Sequence, residues 1–223
     1  MSNFVLKIIA MITMFIDHLG YALYGQFSYF NYIGRLAFPI FAFGISEGYI
    51  HTRSKKNYLI RLFMFAIISQ APFMFFCSMF KTGFALNIFF TLFLGLVAII
   101  GYENCKNKYL GLFLVLCLGL TADAFKMDYG YWGVFVIFIF HIFKDKKLFM
   151  NLSYIGLCLL RYLPLYLKYN FYLPYLILCV CTILPLVFIN LYNGKKGPNT
   201  KYLLYGFYPV HLMLLYVFNM IFI

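Results

Sequence analysis

Residues 6–25 read LKIIAMITMFIDHLGYALYG, and the fold turns on this stretch. Its length matches the ~20 apolar residues with which an α-helix crosses the hydrocarbon core of a bilayer. Yet Asp17 and His18 sit well inside it. A carboxylate at bilayer depth costs about 2.5–3.5 kcal/mol on insertion scales, so such a pair is expected to face a protein interior or a wet cavity and to find partners there. A buried imidazole near a carboxylate is also how enzymes build a general base.

The rest of the chain continues the apolar theme. Of its 223 residues, 65% are apolar and only 11% charged. A soluble domain of this size has more polar surface to show to water, so the class is an all-α, polytopic transmembrane bundle, a single integral-membrane domain over 1–223. The apolar runs are continuous rather than alternating, which excludes a membrane β-barrel. The first segment lacks a small-residue cleavage site and ends in Tyr24 and Gly25, so it reads as a true span rather than a signal peptide.

At the ~20-residue scale of a bilayer, about nine spans are expected. They lie near 4–24, 29–50, 59–80, 86–102, 110–125, 129–143, 149–165, 171–192 and 202–222. Loop charge orients them. With the N-terminus inside, the inner set holds Lys7, Arg53, Lys55, Lys56, Arg61, Lys106, Lys108, Lys144, Lys146, Lys147, Lys195, Lys196 and Lys201. The outer loops hold Lys81, Lys126 and Lys168. This asymmetry predicts N-in, C-out. The net charge of +12 therefore reports topology in a lipid bilayer, and no nucleic-acid partner is expected. Cysteine spacings suited to zinc or disulfides are absent, and no metal is expected.

Few charges remain once the loops are removed. Asp17, Asp123 and Asp128 map to the outer half, as does Arg35. Asp17, His18 and Arg35 fall roughly 7–11 Å below the outer surface, at one depth. His211 lies nearer the midplane, and Gln70 and Asn87 add uncharged polar groups. Two readings stand side by side. Asp17 and Arg35 form either a packing ion pair or part of a site. His211 makes either a helix–helix hydrogen bond or a contribution to chemistry. Convergence of an imidazole, carboxylates and a guanidinium favours the site.

The inner loops carry two compact basic turns, His51-Thr-Arg-Ser-Lys-Lys56 and Asn193-Gly-Lys-Lys-Gly197. They read as topology anchors or as a phosphate clamp for a cytosolic ligand. No Walker pattern is present.

The segments Leu6–Gly20, Gly34-Arg-Leu-Ala-Phe-Pro-Ile-Phe-Ala-Phe43, Ser69-Gln-Ala-Pro-Phe73, Asn87–Leu92, Asp128-Tyr-Gly-Tyr-Trp-Gly-Val134 and Phe207-Tyr-Pro-Val-His-Leu212 together resemble the TraX family. That family is named for a conjugative-transfer protein that acetylates pilin. It is in turn similar to membrane acyltransferases of the acyltransferase 3 type. These carry a basic residue and a histidine at the spacing of Lys7 and His18, with Lys here where Arg is usual. They also carry a late tyrosine–histidine pair that Tyr208 and His211 resemble.

The resemblance implies an acetyltransferase in the cytoplasmic membrane of a bacterium. Acetyl-CoA would be the donor, and the acceptor a surface glycan or a translocated, pilin-like protein. Lys7, Arg53, Lys55, Lys56, Lys195 and Lys196 would hold the donor. His18 would act as base. Adjacent helical residues point about 100° apart, so Asp17 does not readily reach its neighbour's ring, and Asp128 is the geometrically better orienting carboxylate. Arg35 would hold an acceptor carboxylate or an oxyanion. The alternative is a small proton-coupled transporter or flippase using the same Asp/His/Arg cluster.

Overall fold

A computed structural model describes residues 1–25, 28–80, 83–198 and 201–222, apart from the side chains of Lys201, Tyr202 and Leu204. Lys81, expected in an outer loop, and the side chain of Lys201, expected on the inner side, lie outside the described residues. All nine segments expected to span are helical, and two of them are broken. The elements are α1 (Asn3–Tyr24), α2 (Tyr29–Gly34), α3 (Ala37–His51), α4 (Lys55–Ser78), α5 (Ile88–Asn104), α6 (Lys108–Ala124), α7 (Gly130–Ile142), α8 (Lys147–Lys168), α9 (Leu173–Ile183), α10 (Pro185–Asn190) and α11 (Lys201–Phe222).

Side chains at the starts explain several boundaries. Ser2, Ser54, Asn87 and Asn107 each accept from a backbone N–H in the first turn of α1, α4, α5 and α6. These bonds satisfy donors that a helix end leaves orphaned. Ser28 and Asn31 form a reciprocal capping box at α2.

Prolines explain the breaks. The single span expected over 29–50 is interrupted at Arg35 and Leu36. Pro39 has no N–H for the Arg35 carbonyl, and its ring clashes with the carbonyl four residues back. The span expected over 171–192 is likewise split at Leu184, where Pro185 opens α10.

Among the described residues, five segments are long and apolar enough to cross a membrane: Asn3–Tyr24, Lys55–Ser78, Lys147–Lys168, Leu173–Asn190 and Tyr205–Phe222. Their outward faces are greasy. On α4, Ile60, Phe63, Met64, Ile67, Ile68 and Phe75 are exposed. On α8 the same holds for Leu152, Leu159, Leu160 and Leu163. Faces of this kind are stable in lipid, and the protein is a membrane protein. The 13-residue α7 rises only ~20 Å, short of the ~30 Å hydrocarbon core.

The chain packs as two compact units. The first comprises residues 1–41 and the chain from 145 onward; the second comprises residues 42–144. In the first, α1 packs on α2 and α11, and α9 packs on α8, α2 and α10. The buried stripe of α1 is Leu6, Ala10, Thr13, Asp17 and Gly20, spaced alternately four and three residues apart. That spacing is one helical face, and it carries Asp17 inward. In the second unit, α5, α6 and α7 enclose a core of Leu94, Ala98, Val115, Ala122, Val134 and Phe138.

Candidate active site

The first unit gathers Asp17, His18, Arg35, Tyr208 and His211. Asp17 is 8% exposed and faces α2. Arg35 Nη2 donates to both of its carboxylate oxygens, at 2.8 and 3.1 Å. Asn31 Nδ2 adds bonds to the Asp17 carbonyl at 3.2 Å and to Oδ1 at 3.3 Å. The orientation of the Asn31 amide is set from its other end, where Oδ1 accepts from the Ser28 amide and hydroxyl. The capping box of α2 thus also aims a donor at the buried carboxylate.

Gly34 makes this closeness possible. A Cβ there would lie 2.2 Å from Asp17 Oδ1. Gly34→Ala is therefore expected to push α2 off α1 and to destabilise the protein by ~1–3 kcal/mol, read as a lowered thermal midpoint in detergent.

His18 points to a different partner. Its Nδ1 lies 2.7 Å from His211 Nε2, and His211 Nδ1 lies 2.7 Å from the Phe207 carbonyl. The carbonyl only accepts, so His211 Nδ1 carries a proton. With both rings neutral, His211 Nε2 is bare and accepts from His18 Nδ1–H. The lone pair of His18 then resides on Nε2. A relay from backbone carbonyl through one imidazole to another sets the tautomer of His18, the task a carboxylate performs in a catalytic triad.

Aromatic rings fix both imidazoles. Phe207 stacks on His211 with centroids 4.7 Å apart. Tyr208, 2% exposed, meets His18 and His211 edge-on at 6.2 and 5.7 Å.

Asp128, expected to orient His18, belongs to the second unit, in the turn before α7. Its amide donates to the Leu86 carbonyl at 2.9 Å, and its carbonyl accepts from the Thr91 hydroxyl. The recorded partner of His18 Nδ1 is an imidazole rather than a carboxylate.

The basic residues divide between the units. In the first, the Asn193–Gly197 turn clasps the start of α1: Asn3 and Phe4 amides donate to the Lys195 and Lys196 carbonyls at 2.9 and 3.2 Å. Lys7 stands one turn further along α1, within electrostatic reach of Lys196. In the second, Lys55 Nζ donates to the Tyr49 hydroxyl at 2.6 Å, while Arg53 and Lys56 are exposed.

Sequence reasoning missed Asn31, the Phe207 carbonyl and a further buried histidine, His141. A backbone carbonyl has no sequence signature. Asn31 had one: the S-x-x-N pattern over 28–31 marks a helix start, and that start lies beside Asp17.

Comparison with known proteins gives the family. The TraX protein family profile matches residues 2–219. The chain is 32% identical to the "Probable fimbrial assembly protein FimC, serogroup H1" of Dichelobacter nodosus, over 96% of this chain and 94% of that protein. It is 31% identical to "Uncharacterized protein RP591" of Rickettsia prowazekii (strain Madrid E), over 47% of this chain and 39% of that protein. No solved structure matches the chain significantly. A profile that runs through both units, with a relative aligned almost end to end, places this chain in the TraX family.

Proposed function

We propose that this protein is a membrane-embedded acetyltransferase of the bacterial cytoplasmic membrane. It moves an acetyl group from cytosolic acetyl-CoA to a surface glycan or a translocated, pilin-like protein. The carrying observation is the Phe207 carbonyl–His211–His18 relay, which sets the His18 tautomer so that Nε2 carries the lone pair that a base needs. In this reading the acceptor hydroxyl or amine gives its proton to His18 Nε2 as its heteroatom attacks the thioester carbonyl. Arg35 supplies positive charge for the developing oxyanion. Collapse of the tetrahedral adduct breaks the C–S bond, and the departing CoA thiolate recovers the proton from His18.

About nine membrane crossings with the N-terminus inside complete the reading. They put Lys7, Arg53, Lys55, Lys56, Lys195 and Lys196 on the cytosolic side, where the phosphates of the donor would meet them. The FimC relative, named for fimbrial assembly, supports a pilin-like acceptor.

The test uses the protein in liposomes with acetyl-labelled acetyl-CoA outside and candidate acceptors inside. Transfer of label to an acceptor is the expected result. No acetyl-CoA binding, or binding without transfer to any acceptor, would remove the acetyltransferase reading.

A second reading has its own observation. Broken helices beside buried charge are a hallmark of transporters, and the α2–α3 interruption falls at Arg35 itself. A proton-coupled transporter predicts proton-dependent solute flux in the same liposomes, with no covalent transfer.

A further inference from the structure

The second unit contains a polar cluster of which the proposed function uses Lys55 alone. His141, at the end of α7, is 1% exposed. Its Nε2 lies 2.9 Å from Oε1 of Glu103, at the end of α5. The other Glu103 oxygen lies 3.9 Å from Lys108 Nζ, at the start of α6. The His141 ring meets Tyr49 edge-on at 5.0 Å, and the Tyr49 hydroxyl accepts from Lys55 at the start of α4. Lys144 is within electrostatic reach of both His141 and Glu103. Helices α3, α5 and α7 end here and α4 and α6 begin here, so all five helices of this unit bring residues to one end.

One atom in this cluster is unsatisfied. Among the described residues, His141 Nδ1 is buried and has no hydrogen-bond partner. A carboxylate only accepts, so His141 Nε2 carries the proton shared with Glu103. A neutral ring then leaves Nδ1 a bare acceptor, and a protonated ring leaves it an orphan donor. Either state is unfavourable in a buried place. A partner for this atom would offer a proton in the first state and take one in the second. The same cluster holds three lysines against one carboxylate, and the Tyr49 hydroxyl, already accepting from Lys55, still has its own proton to donate.

A phosphomonoester fits all of this. Its second ionisation lies near pH 6, so it presents P–OH to a bare Nδ1 or P–O⁻ to a protonated one. Its remaining oxygens accept from lysine and phenol, as charge-assisted hydrogen bonds.

We infer that the cluster of Tyr49, Lys55, Glu103, Lys108, His141 and Lys144 is a binding site for a phosphomonoester group. Taken with the donor reading above, on which this step rests, that group is the 3′-phosphate of CoA. A free phosphate ion presents the same chemistry, so the two sources must be separated.

Binding to the full-length protein in nanodiscs separates them, with CoA, dephospho-CoA (which lacks only the 3′-phosphate) and inorganic phosphate as probes. Wild type is expected to hold CoA at least roughly tenfold more tightly than dephospho-CoA, the scale of one charge-assisted contact. His141→Asn and Lys55→Gln are expected to bring the two ligands within about twofold of each other, again on the scale of losing that contact. Glu103→Gln keeps an acceptor for Nε2–H but removes the negative charge, so it should tighten CoA and leave dephospho-CoA unchanged. A site that only pins helix ends predicts no such gain. Lys55 is exposed, so its variant tests binding free of any folding loss in His141→Asn.

Equal affinity of wild type for CoA and dephospho-CoA would overturn this inference and leave the donor reading standing. Failure to bind either CoA form would overturn the donor reading and the 3′-phosphate assignment together. In that case, inorganic phosphate binding that is lost in Lys55→Gln supports a free-phosphate site, and no phosphate binding overturns the site altogether.

Discussion

His18→Ala is expected to lower acetyl transfer by about 10²–10⁴-fold, the range that a positioned general base contributes, while acetyl-CoA still binds. His211 gives the sharper version of this test. It is buried at 2% exposure, and its role runs through His18 Nδ1 and the Phe207 carbonyl. His211→Phe keeps a ring of similar size against Phe207 and Tyr208 but gives His18 Nδ1–H no acceptor. The proton can then shift to Nε2, and the base is lost without loss of either reactant site. The expected signature is a fall in kcat with little change in KM. His211→Gln, whose amide oxygen can accept the Nδ1–H, should recover part of the rate. If His211→Phe transfers acetyl as fast as wild type, the imidazole relay has no catalytic part. Loss of binding as well as rate would mean that His211 serves packing alone.

Arg35→Met is the second large effect. It strips the guanidinium from an 8%-exposed carboxylate and leaves Asn31 as its remaining recorded side-chain donor. Removing one partner of a buried ion pair costs about 3–5 kcal/mol, because the other charge stays behind. The double variant Asp17→Asn/Arg35→Met removes that charge as well, and much of the stability should return. Unfolding of the four proteins in mixed micelles gives the cycle and its coupling energy. If the double variant is stable but inactive, the pair belongs to the site. If it is stable and active, the pair is a device of packing, and the chemistry rests on the histidines.

Much of the first unit was legible from the residues. The 6–25 stretch holds both the apolar run and its exceptions, while the inward stripe of Leu6, Ala10, Thr13, Asp17 and Gly20 comes from the packing of α1. The depth argument put Arg35 beside Asp17, but on an unbroken helix. Pro39, which has no N–H for the Arg35 carbonyl, breaks that helix. The histidine pair was legible only as two candidates, since nothing in local spacing links residue 18 to residue 211. Glu103 and His141 lie 38 residues apart, with no local spacing that links them. Each is unremarkable alone, and only the return of α7 to the end of α5 makes them a pair.

That separation along the chain has a bearing on synthesis. Asp17 and Arg35 are 18 residues apart and His18 and His211 are 193 apart. The buried carboxylate can be neutralised as soon as the second helix leaves the ribosome, long before the rest is made. The imidazole relay waits for the last helix, because elongation at ~5–20 residues per second must run to the end first. An unfinished or C-terminally truncated chain therefore has its early charges already neutralised and the tautomer of His18 unset. In the proposed reading, the order of translation itself withholds the base until α11 has been made.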